Sequence, residues 1–139
     1  MKEAKIVKAE DRADYAVADG DGQRLDPNAM LGTWFNTNAA TRGINKVVLA
    51  ARDDKLMMHA FATGDASPAD WGEAEAESLY ANTMTSRVAI ALIAHFTLET
   101  MEVDIQANLN QGLLVIGSFS TFLDRSRRSN YFSREFFHQ

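Results

Sequence analysis

The sequence contains no cysteine. That excludes disulfides, thiolate nucleophiles and cysteine-ligated zinc together, and it leaves packing as the source of stability. Proline is nearly absent, with 2 residues in 139, so no proline-rich linker divides the chain. Positive charge is in deficit: 14 Lys and Arg face 19 Asp and Glu, a formal net charge of −5. A mildly acidic chain gains nothing from phosphate backbones, so nucleic acid is not an expected partner. No apolar run approaches the roughly 18 residues of a membrane span, and no membrane partner is expected. Met1 to Glu10 is charged and lacks the apolar centre of a secretory signal, so a cytoplasmic location is expected. The one basic cluster, Arg125, Arg127 and Arg128, reads as a solvated loop.

Hydrophobic residues make up 46% and charged residues 24%, the composition of one ordinary globular domain. Residues 1–30 are the least regular. Lys5 to Lys8 could form a short strand, Asp11 to Asp21 is acidic and alanine-rich, and Asp26 is a good N-cap for a helical turn over Pro27 to Met30. From Leu31 to the end the pattern is strand, turn, strand. Strands are expected at Gly32–Asn38, Gly43–Arg52, Lys55–Thr63, Arg87–Leu98, Met101–Leu109, Leu113–Leu123 and Tyr131–Phe137. Asp53-Asp54 and Asn110-Gln111-Gly112 are hairpin turn signals. Over Asp70–Ala81 composition favours helix, but Glu73, Glu75 and Glu77 recur with a period of two, so a strand with a solvated glutamate face is predicted. Gly117 is expected at a bend or bulge. About eight strands with hairpin-length connections and no helical crossover predict an all-β fold, a closed antiparallel up-and-down barrel over 31–139. A β-sandwich is the alternative architecture.

The string Gly32-Thr33-Trp34-Phe35-Asn36 opens this pattern. It resembles the Gly-x-Trp signature of the calycin superfamily, and is more similar to the avidin version than to the lipocalin one. The resemblance implies a small barrel whose glycine allows close strand entry and whose Trp34 plugs the closed end. It implies that Arg134 stacks on that tryptophan as lipocalin arginines do, and that Asn36 holds a ligand's polar head. Biotin is not implied, because Trp34 and Trp71 are the only tryptophans and the avidin tyrosine–serine set is missing.

Parity puts Asn36 and Asn38 on the Trp34 face, where interior amides would need water or a ligand. Trp71, flanked by Asp70 and Gly72, and Phe61 are further candidate ligand contacts. His59, His95 and Tyr80 are the candidate proton-transfer groups, with Asn36 polarising a carbonyl. Two histidines without a fixed short spacing make no metal motif, so no metal or other cofactor is expected. Three functions follow. The first is a small-molecule-binding barrel with a mostly apolar cavity for a small hydrophobic ligand. The second is a cofactor-free isomerase, cyclase or lyase in the same barrel. The third is a structural or interaction module with a filled core. The strand Arg87–Leu98 is apolar on both faces, which predicts a homo-oligomer, a two-fold dimer, packed through it.

Overall fold

The computed structural model describes residues 24–64 and 69–139. The expected strand at Lys5–Lys8, the acidic stretch Asp11–Asp21 and the Ser67-Pro68 loop lie outside the described residues. A 3-10 turn at Asn28–Met30 leads into nine strands: β1 (Gly32–Asn36), β2 (Ile44–Arg52), β3 (Lys55–Ala62), β4 (Asp70–Glu75), β5 (Ser78–Tyr80), β6 (Ala91–Thr97), β7 (Met101–Asn110), β8 (Leu113–Phe122) and β9 (Tyr131–His138). They form one sheet in the order β4-β3-β2-β1-β9-β8-β7-β6-β5, curled into a half-barrel. Every ladder in it is antiparallel. No helix among the described residues is long and apolar enough to cross a membrane.

Two hairpins arise where the sequence signals them. Asp53 and Asp54 both adopt positive φ, 54° and 65°, and so do Gln111 and Gly112, at 55° and 85°. Paired positive φ values match the right-handed twist of the flanking strands, as two-residue hairpin turns require. β7 alternates as expected: Met101, Val103, Ile105 and Ala107 are buried, while Asp104, Gln106 and Asn108 are exposed.

The expected closed barrel is corrected to a half-barrel, and the cause lies in the predicted strand over Asp70–Ala81. That segment is two strands, not one. The Ala76 N–H donates to the Leu56 carbonyl on β3, and the next N–H, of Glu77, donates to the Ile93 carbonyl on β6. β4 therefore extends one edge of the sheet and β5 the other. The gap between β4 and β6 carries side chains in place of a ladder: the Trp71 ring meets the Phe96 ring edge-on at 5.5 Å.

The strand expected from Arg87 begins only at Ala91. Before it, Arg87 to Ala89 is held by Asp26, whose N–H donates to the Arg87 carbonyl and whose carbonyl accepts from Ala89 N–H. That bridge turns Val88 outward, 44% exposed. Gly117 is not a bulge either, because β8 keeps continuous register with β7 and β9 there. A β-carbon at Gly117 would meet the Phe132 ring at 3.3 Å, so the glycine makes room for that ring.

The concave face holds one core that includes Met30, Trp34, Val47, Leu49, Met58, Leu92, Phe96, Val103, Ile105, Leu114, Ile116 and Phe137. Gly32 has φ of 126°, outside the range that side chains tolerate. A β-carbon there would also meet the Gln139 side chain. Two residues on, Trp34 is buried, and the indole N–H donates to the Met30 carbonyl at 2.9 Å.

Candidate functional site

The concave side was expected to hold the ligand. Met30, Val47, Met58, Ala60, Ala89, Ala94, Val103, Ile105, Leu114 and Phe137 there have no accessible surface at all. A side chain bordering a space large enough for water would register some, so these residues border none.

Asn36 is buried, but both ends of its amide are used by the fold. Its Nδ2 donates to the Ile44 carbonyl at 2.9 Å, and its Oδ1 accepts from the Asn38 N–H at 2.7 Å. Asn38 is exposed and caps the same turn, accepting from the Ala40 N–H. Trp71 lies against Phe96 at the rim of the core. Trp34 is buried. Arg134 is exposed on the convex face, opposite Gly117. Its guanidinium therefore does not cover Trp34, because strand parity puts the two residues on opposite sides of the sheet.

The proton-transfer candidates also face outward, on separate strands. His59 on β3 stacks on Phe61 with ring centroids 4.3 Å apart, and its Nε2 is 2.6 Å from Asp70 Oδ1. That bond, aided by the Gly72 N–H, holds the Asp70 carboxyl below its ordinary range. Lys46 Nζ lies 4.3 Å from the Phe61 ring centroid. Tyr80 is exposed, its hydroxyl joined to Ser78. Among the described residues no group of His, Asp and Glu is placed to hold a metal ion.

His95 on β6 is clamped by two carboxylates of β7, with Nδ1 2.7 Å from Asp104 Oδ1 and Nε2 3.0 Å from Glu102 Oε1. The Asp104 contact is a hydrogen bond and the Glu102 contact a close charge pair, and both favour the charged imidazolium. The hydrogen bond to Asp104 raises the His95 pKa above that of a free histidine, against a smaller opposing effect of burial. A pKa raised by folding means stability that is complete below about pH 6.5 and lost as pH rises through the higher native value. An NMR titration is expected to place His95 above ordinary histidines, and Asp104→Asn is expected to return it toward them. An unchanged midpoint in Asp104→Asn would sink this account.

An open cleft of about 580 Å³ lies between the β2–β3 turn, the β4–β5 crossing and the chain before the 3-10 turn. Its rim carries the ion pairs Arg24–Asp54 at 2.9 Å and Lys55–Glu75 at 3.7 Å. Leu25, Leu56, Ala76 and Leu79 also line the cleft.

The convex face shows what residue-type reasoning missed. Phe35, Phe119, Phe132 and Phe136 are 42–53% exposed, and strand pairing draws them into one stripe across β1, β9 and β8. Phe35 sits opposite His138, with ring centroids 6.2 Å apart. Phe132 sits opposite Phe119, at 4.8 Å. Phe136 and Arg134 lie between these pairs along β9. The signal available was that β9 carries aromatic residues at both parities, which one buried face cannot absorb. No family model, curated protein or solved structure matches the chain, so the functional reading stands on this geometry.

Proposed function

We propose that this chain is an interaction module: a packed β scaffold whose convex β1–β9–β8 face docks onto another protein surface. The observation that carries the reading is the phenylalanine stripe. Exposed aromatic residues gathered in one patch mark contact surfaces, whereas single exposed apolar residues need no explanation. A calycin-type architecture with its cavity filled by side chains belongs to the same reading. It is supported by Gly32-Thr33-Trp34 at the start of β1 and by the pairing of β1 with the last strand. The two hollow-barrel functions have less in their favour, because ten of the core residues have no accessible surface and Asn36, His59 and His95 are each engaged within the fold.

A comparison of Phe→Ser replacements tests this. Phe119→Ser with Phe132→Ser is expected to shift the urea unfolding midpoint far less than a core change, since both rings are about half exposed. Phe137→Ser, which removes a side chain with no accessible surface, is expected to cost about 3–5 kcal/mol. If the surface pair destabilises as severely as the core change, the stripe serves the fold and the reading falls. Native mass spectrometry showing a retained small molecule would favour the binding-barrel function instead.

A further inference from the structure

We propose that the partner of this face is a second copy of the same chain, docked about a two-fold axis that crosses the middle of the stripe. The inference rests on the convex face being the docking surface, and it adds what covers it. The stripe runs diagonally over the sheet between a lysine on one side and two carboxylates on the other, with the His59–Asp70 pair lying beyond the lysine. At one end Phe35 lies directly opposite Lys46 on β2. At the other, Phe119 lies directly opposite Asp104 on β7, with Glu102 two residues along the same outward face. Even with a charged His95 between them, the two carboxylates leave a net negative charge.

With Lys46 flanking the phenylalanines on one side and Asp104 and Glu102 flanking them on the other, the stripe is complementary to its own image turned by 180°. A two-fold axis across the stripe sets Lys46 of one copy against Asp104 and Glu102 of the other, twice over, as an isologous contact requires. It also gathers Phe136 and Arg134 of both copies at the centre, where a guanidinium can lie on a phenyl face. A parallel arrangement would instead set lysine against lysine and carboxylate against carboxylate, which charge repulsion disfavours. The dimer expected from sequence through β6 has a weaker basis. On the convex side Ile93 and His95 of β6 lie opposite the polar Gln106 and Asp104, not an apolar field.

Sedimentation velocity over a concentration series, with the parent and five variant samples, tests the proposal. The parent is expected to dimerise. Phe119→Ser with Phe132→Ser, Lys46→Glu alone and Asp104→Lys alone are each expected to weaken the dimer at least about tenfold. Lys46→Glu with Asp104→Lys in one chain is expected to restore it. An equimolar mixture of the two single charge variants is expected to pair as a heterodimer, because each then meets its opposite. These rescues separate a broken interface from a misfolded chain. A parent that is monomeric at every concentration overturns self-docking, while leaving the interaction-module reading to its own stability test. A dimer that persists unchanged in the phenylalanine and charge variants lies on another face and also overturns it.

Discussion

Trp34→Ala is expected to lower the unfolding free energy by about 3–5 kcal/mol, a large share of the roughly 5–15 kcal/mol that holds a small domain together. Three losses combine. The indole is only 3% exposed and belongs to the single core cluster, so its removal leaves a void that the rigid sheet cannot collapse around. Its N–H is the donor to the Met30 carbonyl, and Met30 itself has no accessible surface, so that carbonyl is left buried near no water. The 3-10 turn that Met30 ends loses its tie to β1. Trp34→Phe separates these losses: it keeps most of the ring, gives up the hydrogen bond, and is expected to cost about 1–3 kcal/mol. Urea unfolding followed by circular dichroism reads both. A Trp34→Ala protein as stable as the parent would mean that the indole does not plug the core.

Much of this arrangement is legible in the sequence, and the division between what is and is not legible has a physical cause. Period-two alternation reports which residues share a face, and it places Met101, Val103, Ile105 and Ala107 on β7 and Leu92, Ala94 and Phe96 on β6 correctly. Turn chemistry is local, so Asp53-Asp54 and Gln111-Gly112 mark their hairpins. The change of partner at Ala76–Glu77 is not local. It depends on β3 and β6, which lie on either side of that segment in sequence, and nothing between Asp70 and Ala81 announces it. The early end of the Arg87–Leu98 pattern has a similar origin, because Asp26 captures its first residues from far along the chain. For the candidate site, alternation could place Asn36 inward and His59 and His95 together with their neighbours. It could not show that backbone groups occupy Asn36, or which side of β9 meets water when both sides are aromatic.

Asn36→Asp is expected to make stability depend on pH in a way the parent does not. The parent amide donates to the Ile44 carbonyl and accepts from the Asn38 N–H. A carboxylate can still accept from Asn38, but it sets a negative oxygen against the Ile44 carbonyl in a buried place. Protonation restores a donor there, so folding raises the carboxyl pKa above its unfolded value of about 3.9. The sign follows from linkage: the folded state binds the proton more tightly, so the variant approaches parental stability at low pH and loses it as pH rises through the shifted value. At neutral pH the deficit is expected to be about 2–4 kcal/mol, the cost of a buried polar group left without its partner. Asn36→Ala, which cannot titrate, is expected to be destabilised without this added pH dependence. Denaturant melts of the three proteins across a pH series check the claim. Parallel pH curves for Asn36→Asp and Asn36→Ala would refute it, and would return Asn36 to the candidates for a ligand contact.

The ladder between β1 and β9 has only two register pairs, Phe35–His138 and Asn36–Phe137, whereas β7 and β8 pair along their whole lengths. The sheet is thus two meanders, β1–β4 and β5–β9, each able to zip from its own turns and joined across a narrow seam. Contacts within each meander are close in sequence, while those of the seam join opposite ends of the described chain, so loop-closure entropy makes it the late event in folding. The phenylalanine stripe straddles that seam, with Phe35 on one meander and the other three rings on the other. The docking face therefore exists only once both halves have met. A partner bound there would cross-brace them, so that sub-global opening of the seam becomes linked to dissociation.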